Sequence, residues 1–210
     1  MARKIATGRI VGLVLAGVGL GFAIYLGSQA RQMSAEFHQW LDARPMETGF
    51  DLSKPGEITV PFRQTCSSSH GEVLCLKCDL PEAAKQNTEQ LLKGLSGSVV
   101  IKDSQGNGIK GGEITADRSR YHDGEIILAA FAPFSKGEYT ATIRIDSGAP
   151  ALAGKTQTIY AKYELCGLEK MPAGICTMLA GGAGLVALVS ILSVLQGLLR
   201  KAPVEAAQKG

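Results

Sequence analysis

Two long uncharged hydrophobic runs lie near the ends of the chain. One covers residues 10–28 and the other covers residues 175–199, and neither contains Asp, Glu, Lys, Arg or His. As α-helices they would rise about 28 and about 37 Å, enough to cross a hydrocarbon layer about 30 Å thick. We therefore predict a transmembrane helix in each run.

The helical period continues beyond the first run. Met33, Phe37 and Leu41 recur at helical spacing, and Pro45 follows them. A proline cannot continue a helix interior, so it marks the expected end. The pattern predicts an amphipathic juxtamembrane helix over residues 29–45.

From residue 50 the hydrophobic positions alternate instead, as expected for β-strands that bury one face. Turn-forming segments rich in Gly, Ser, Asp and Pro separate the alternating stretches. We predict one ectodomain over residues 50–168, an immunoglobulin-like antiparallel β-sandwich of about seven strands with one helix inserted at 81–94. The predicted strands cover residues 57–64, 72–80, 98–103, 109–115, 124–131, 138–146 and 155–165.

A glycine two residues before Tyr139 opens the sixth predicted strand. A Gly-x-Tyr entry of this kind resembles the tyrosine corner of immunoglobulin-like sandwiches, in which the hydroxyl bonds to the preceding connection. The resemblance concerns the fold class and names no family.

Small residues form a stripe along one face of each hydrophobic run. Such stripes let helix backbones approach closely where lipid supplies no hydrophobic drive. The two predicted helices could pack on each other, or each could pack against the helices of a larger complex. Since neither run holds an ionisable residue, ion translocation by this chain alone is not expected. The candidate helix-packing residues are Gly12, Ala16, Gly19, Ala23, Gly27, Ala180, Ala183, Ala187 and Ser190.

The net charge of +3 hides an uneven distribution. Residues 31–170 carry 16 basic and 18 acidic side chains, whereas the flanks carry six basic side chains and one acidic one. Basic residues next to the outer ends of both runs predict cytoplasmic tails at 1–9 and 200–210, and a periplasmic domain anchored in a bacterial-type inner membrane. The alternative for residues 10–28 is a cleaved signal peptide. The basic clusters are too short to predict nucleic-acid binding.

Residues 66–78, CSSSHGEVLCLKC, invite three interpretations. Cys66, His70, Cys75 and Cys78 are a possible zinc set. Cys75 and Cys78 alone form a Cys-x-x-Cys pair, which in other proteins is redox-active. The third interpretation is a pair of disulfides formed in an oxidising compartment.

Strand alternation favours the disulfide interpretation, because it places Cys75 and Cys78 on opposite faces, where they cannot share a metal. Cys66 could then bridge to Cys75, and Cys78 could reach Cys166, although the connectivity stays open. We predict no metal and no cofactor. The disulfide candidates are Cys66, Cys75, Cys78 and Cys166.

The segment at 115–125 gathers polar residues suited to a partner or ligand surface, namely Arg118, Arg120, Tyr121 and His122. A solvated loop is the alternative. No serine elbow, phosphate-binding loop, dinucleotide fingerprint, HExxH or EF-hand pattern is present in the sequence. We therefore expect no catalytic residues and no enzyme activity.

The combined pattern predicts a non-catalytic accessory or assembly subunit of an inner-membrane complex. Its expected partners are the lipid bilayer and at least one membrane protein, with no nucleic acid. The alternatives are a periplasmic module that binds or senses a ligand, a metal or envelope stress, and a membrane-anchored immunity or inhibitor protein.

Overall fold

The computed structural model describes residues 2–66 and 69–199, with side chains from residue 8 onward within those ranges. The described residues form two compact units: a helical unit over residues 2–37 and 170–199, and a β domain over His38–Glu169. Each of the two long helices is long and apolar enough to cross a membrane. The helices are α1 (Ala2–Asp42), α2 (Glu82–Gln86), α3 (Thr88–Leu91) and α4 (Met171–Leu199).

The described residues of the β domain form nine strands in two antiparallel sheets. One sheet has the order β1-β9-β3-β7-β6 and the other has the order β2-β8-β4-β5. Side chains from both sheets share one buried hydrophobic core. The strands are β1 (Glu47–Gly49), β2 (Gly56–Gln64), β3 (Gly71–Cys78), β4 (Ser96–Asp103), β5 (Gly108–Thr115), β6 (Arg120–His122), β7 (Glu125–Phe131), β8 (Gly137–Ser147) and β9 (Gln157–Glu164).

All seven predicted strands are present, with ends that differ by one to a few residues. Two short strands, β1 and β6, were not predicted, because three residues are too few to show an alternating pattern. The predicted helix at 81–94 is instead two short helices separated at Asn87. The predicted juxtamembrane helix is the continuation of α1, which ends at Asp42.

The predicted immunoglobulin-like topology is not confirmed. Immunoglobulin domains pair their last two strands within one sheet. Here β8 lies in the four-stranded sheet beside β2 and β4, whereas β9 lies in the five-stranded sheet between β1 and β3. The domain does have two antiparallel sheets packed on one core, as predicted, but its strand order is different.

The tyrosine feature is present despite this different strand order. The Tyr139 hydroxyl donates a hydrogen bond of 2.9 Å to the carbonyl oxygen of Ser135, in the connection that precedes β8. The ring packs against Phe62 and Phe134 at centroid distances of 5.8 and 5.0 Å. The corner therefore ties the entry of β8 to the aromatic part of the core.

Candidate functional site

The β3 strand separates two of the cysteines, as the alternation predicts. Cys78 belongs to the main core between the sheets. Cys75 belongs to a second buried cluster with Val73, Ile127 and Tyr160 on the other face of the strand. The candidate zinc set of the sequence is therefore not brought together.

The Cys75 thiol is buried and is also difficult to ionise. Its exposed fraction is 0%. Burial first, and then the negative charge of Glu125, raise the pKa of the Cys75 thiol to about 12. Burial also raises the pKa of Cys78. Because thiolates are the reactive species, this Cys-x-x-Cys pair lacks the low pKa of a redox centre.

No disulfide joins the cysteines within the described residues. The register of β3 with β9 also separates one pair considered from the sequence. Cys78 lies opposite Gln157 at one end of this ladder, whereas Cys166 follows Glu164 at the other end. At about 3.3 Å per residue the separation exceeds 20 Å, far beyond the reach of a disulfide. The idea that Cys78 reaches Cys166 is therefore wrong for this fold.

The same register assembles a different group of side chains. The Nε2 atom of His70 lies 2.6 Å from the Sγ atom of Cys166. A carboxylate oxygen of Glu169 lies 3.9 Å from that Nε2 and 3.9 Å from that Sγ. All three donor atoms fall within 4.8 Å of one another.

Backbone pairing holds two of these residues in place. The backbone N–H of His70 donates a 2.9 Å hydrogen bond to the carbonyl oxygen of Glu164. Gly71, the first residue of β3, lies opposite Glu164 in the ladder. His70 and Cys166 are thus each within two residues of the same strand pairing.

A tight turn holds the third residue. Gly167 has a φ of +88°, a left-handed conformation that favours glycine. The turn lets the Glu169 carboxylate accept hydrogen bonds from the backbone N–H groups of Gly167, at 2.8 Å, and Cys166, at 3.4 Å. The Glu169 side chain is only 3% exposed, whereas His70 and Cys166 are exposed.

The three groups converge instead of forming a catalytic relay. In a Cys-His-acid relay the acid bonds to the ring nitrogen that faces away from the cysteine. Glu169 approaches Nε2, the nitrogen that also faces Cys166. Sulfur, nitrogen and oxygen donors that lie within 4.8 Å of one another match the donor types of zinc sites.

Next to this group lies a buried polar pair. Gln64 is 1% exposed and Glu72 is 3% exposed. The Gln64 amide nitrogen donates a 2.5 Å hydrogen bond to Glu72, and the Ser69 hydroxyl donates one of 3.2 Å. Within the described residues, the Oε1 atom of Gln64 and the Oε2 atom of Glu72 have no hydrogen-bond partner. Burial raises the pKa of Glu72, and these two hydrogen bonds oppose the increase.

The candidate surface at 115–125 is not a set of convergent free cations. Arg118 pairs with Glu113 at 2.9 Å, and Arg120 pairs with Glu164 at 3.7 Å.

The other two candidates of this surface are also paired. The Tyr121 hydroxyl bonds to the Glu82 carboxylate, and His122 lies 3.4 Å from Asp123. The segment runs from the end of β5 through residues 116–119 into the edge strand β6. A second turn at Asp123 and Gly124, which both have positive φ, leads into β7. Asp-Gly is a strong hairpin signal, so this hairpin could have been found from the sequence.

The small-residue faces of α1 and α4 meet each other in the helical unit. A Cβ added at Gly19 would lie 3.0 Å from the Ala183 carbonyl oxygen and 3.2 Å from the Ala187 Cβ. A Cβ at Gly12 would lie 2.8 Å from a methyl of Val194.

The remaining helix candidates vary in position. Ala16 and Ala187 are buried, with exposed fractions of 6% and 2%. Ala23 lies 3.9 Å from a Cβ added at Gly184, and Gly27 has no such neighbour within 4 Å. Ala180 and Ser190 are half-buried.

Sequence reasoning missed Cys166 and Glu169 as neighbours of His70. Glu169 follows Cys166 by three residues, a local signal that was available, but His70 joins them only through strand pairing across 96 positions.

Comparisons with known proteins add little. No family model and no curated protein matches the chain. Among solved structures, the chain is similar to the crystal structure of GEBA250068378 from Sulfurospirillum deleyianum. The identity is 9%, the TM-score is 0.45, and the alignment covers 58% of this chain and 98% of that one. A similarity of this size supports no conclusion about fold or function.

Proposed function

We propose that the chain is a non-catalytic accessory subunit of an inner-membrane complex, anchored by two membrane helices and carrying a periplasmic β domain. The observation that carries the proposal is the packing of α1 on α4. One small-residue face of α1 contacts α4, and a second face of α1 contacts nothing within the described residues. Three features of the pair support it.

The first feature is the outer surface of the helices. Large apolar side chains there are more than half exposed, including Leu13, Val18, Leu185 and Leu199. Contiguous apolar surface of this extent is unfavourable in water and favourable in lipid. This supports a two-pass membrane protein.

The second feature is the antiparallel closure of the pair. The Arg9 guanidinium donates a 2.6 Å hydrogen bond to the carbonyl oxygen of Gly197, near the C-terminal end of α4. A cation at this position satisfies a carbonyl that the helix leaves unpaired and complements the helix dipole. Two antiparallel spans bring the start of α1 and the end of α4 to one side, and the basic flanks in the sequence favour the cytoplasmic side.

The third feature is an unused helix face on α1. Gly17 and Gly21 are four residues apart, and an added Cβ would meet nothing within 4 Å at either one. Val14 and Ile24, exposed by 57% and 65%, flank them on the same face. A glycine pair at this spacing suits close approach by a second helix. We assign this face, separate from the Gly12 and Gly19 face, to the partner.

The test is co-purification from native membranes in mild detergent, followed by mass spectrometry. We compare the wild-type chain with Gly17→Leu, Gly19→Leu and Val18→Leu, the last adding volume on an exposed position of the same turn. We expect a stoichiometric membrane partner that Gly17→Leu loses and Val18→Leu keeps. Gly19→Leu should disturb the chain's own helix pair.

Two results would contradict the proposal. One is a wild-type chain that purifies alone or only as a homo-oligomer. The other is a partner retained in full by Gly17→Leu and by the double variant with Gly21→Leu. Fluorescence of Trp40, whose ring lies 5.6 Å from the Lys136 ammonium, checks that the β domain of each variant is folded.

A further inference from the structure

We propose that His70, Cys166 and Glu169 form a binding site for one Zn²⁺ ion at the end of the β3–β9 ladder. The proposal goes beyond the accessory role, because it assigns an ion to residues that the role does not use. It rests on the identity of the three donors, their separations, their support and their exposure.

The donor types select the ion. A thiolate, an imidazole and a carboxylate are the three side chains that zinc uses in proteins. One sulfur among nitrogen and oxygen donors is too few for Cu⁺, which prefers several soft ligands. Ca²⁺ and Mg²⁺ bind oxygen ligands, so a thiolate and an imidazole do not suit them. The thiolate and the carboxylate together balance the charge of a divalent ion.

The separations of the donors are close to those of a tetrahedral site. With zinc–ligand bonds of about 2.0–2.3 Å, tetrahedral ligand atoms lie about 3.3–3.6 Å apart. Glu169 lies 3.9 Å from both other donors. His70 and Cys166 are 2.6 Å apart, so their donor atoms must separate by about 1 Å to admit the ion. Both side chains are exposed and can make this rotation without disturbing the core.

The structure fixes one of the three donors and leaves the other two free to adjust. Glu169 is held by two backbone N–H groups and is nearly buried, so its carboxylate is pre-positioned. His70 is anchored through its own backbone to Glu164 while its ring stays exposed. The fixed carboxylate lowers the ordering cost of binding, and the two exposed ligands can rotate to fit the ion.

The exposed side of the site leaves room for a fourth ligand. Zinc sites with three protein ligands complete their coordination with water or another exchangeable group. Zinc binding here replaces the Cys166 thiol proton with a sulfur–zinc bond, and the proton passes to solvent. No electron is transferred.

The experiment uses the full chain in detergent, reduced and stripped of metal. Zn²⁺ alone is titrated in competition with a chromophoric chelator, and Co²⁺ replaces it for absorption spectroscopy. We expect one equivalent of Zn²⁺, and a sulfur-to-cobalt charge-transfer band that identifies the thiolate ligand.

The variants are Cys166→Ser, His70→Ala and Glu169→Gln. Each should weaken zinc affinity at least about 10-fold, since even residues behind the ligands of a zinc site contribute this much. Cys166→Ser should also remove the charge-transfer band. The matched controls, His122→Ala and Cys176→Ala, remove the same residue types elsewhere and should leave affinity unchanged.

A second measurement needs no variant. Zn²⁺ should slow alkylation of Cys166 by iodoacetamide in the wild-type chain, mapped by mass spectrometry, and Mg²⁺ should not. The proposal is overturned if the wild-type chain binds no zinc, or if Cys166→Ser and His70→Ala bind as tightly as wild type. It is also overturned if Cys166 of the native protein is held in a disulfide. None of these outcomes depends on a membrane partner.

Discussion

Cys75 and Cys166 lie in the same β domain but differ sharply in solvent exposure. Cys75 is fully buried among Val73, Ile127 and Tyr160, and its pKa is raised to about 12. Cys166 is exposed at a strand end beside an imidazole. Only Cys75 belongs to the cysteine-rich stretch at 66–78. Clustering of cysteines in sequence therefore does not identify the exposed sulfur, which lies at the end of a strand ladder instead.

The largest expected difference is in alkylation rate. A pKa of about 12 leaves about one part in 10⁵ of Cys75 as thiolate at pH 7, and burial blocks the reagent as well. We expect iodoacetamide to modify Cys75 at least about 1000-fold more slowly than Cys166 in the folded chain. Peptide-mapped mass spectrometry over time measures both rates. Similar rates at the two positions would refute the contrast, and labelling in urea is the control for intrinsic reactivity.

The next largest difference should be in the effect of serine substitution on the free energy of unfolding. Cys75→Ser places a hydroxyl in an apolar cluster and should lower the free energy of unfolding by about 1–3 kcal/mol. Cys166→Ser, at an exposed position, should change it by less than about 0.5 kcal/mol. Urea titration followed by the fluorescence of Trp40 measures both values. Equal losses for the two variants would show that the end of the ladder is as tightly packed as the cluster.

Glu72 is a buried carboxyl in β3 near His70, and its protonation should make stability depend on pH. Its pKa is raised by burial, so the folded state binds the proton more tightly than the unfolded chain does. The contribution of Glu72 to stability is therefore greatest below the unfolded value of 4.5 and falls as the pH rises through the folded value. Glu72→Gln removes this loss and supplies an N–H donor near the unpaired Gln64 oxygen.

We expect Glu72→Gln to be more stable than wild type at pH 7 by about 1–2 kcal/mol, with the difference vanishing near pH 4. Urea titrations at several pH values measure this difference. A constant difference between the two proteins across that range would contradict the shifted pKa. Glu113→Gln is a matched exposed control and should show little pH-dependent change.

The smallest expected effect concerns the charge near Cys75. Glu125 accepts hydrogen bonds from Tyr160, at 2.6 Å, and Lys162, at 2.7 Å. Its negative charge is the second cause of the high Cys75 pKa, after burial. Glu125→Gln should lower that pKa and speed alkylation of Cys75 by less than about 10-fold, about one pKa unit. A larger increase would mean that the cluster had opened, which amide hydrogen exchange would detect.

Local patterns in the sequence predict most of the β domain and little of the candidate site. Alternation located seven strands and the opposite orientations of Cys75 and Cys78, because side-chain direction depends only on neighbouring residues. The partner of each strand depends on positions far away in the chain. The β9 strand could have paired with β8, as in an immunoglobulin domain, and nothing in its own alternation distinguishes that from pairing with β3. His70 and Cys166 meet only through the second choice.

The same distinction applies to the chemistry of Cys75. Its pKa depends on burial beneath β7 and β9 and on Glu125, none of which is near it in sequence. The hairpin at Asp123 and Gly124 is a local feature that was not predicted, although an Asp-Gly pair is a strong hairpin signal. What the sequence could not supply is the set of long-range pairings that convert separate strands into one surface.

The β3–β9 pairing also has a consequence for biosynthesis. β9 is the last strand to emerge, and only six residues separate its end from the start of α4. Until then β3 has one paired edge, against β7, and presents unsatisfied backbone groups on the other. A contact across such a long stretch of chain forms slowly. The nascent domain thus carries an exposed strand edge until the second apolar helix is about to be made, so truncation before Gln157 should yield a chain prone to aggregate.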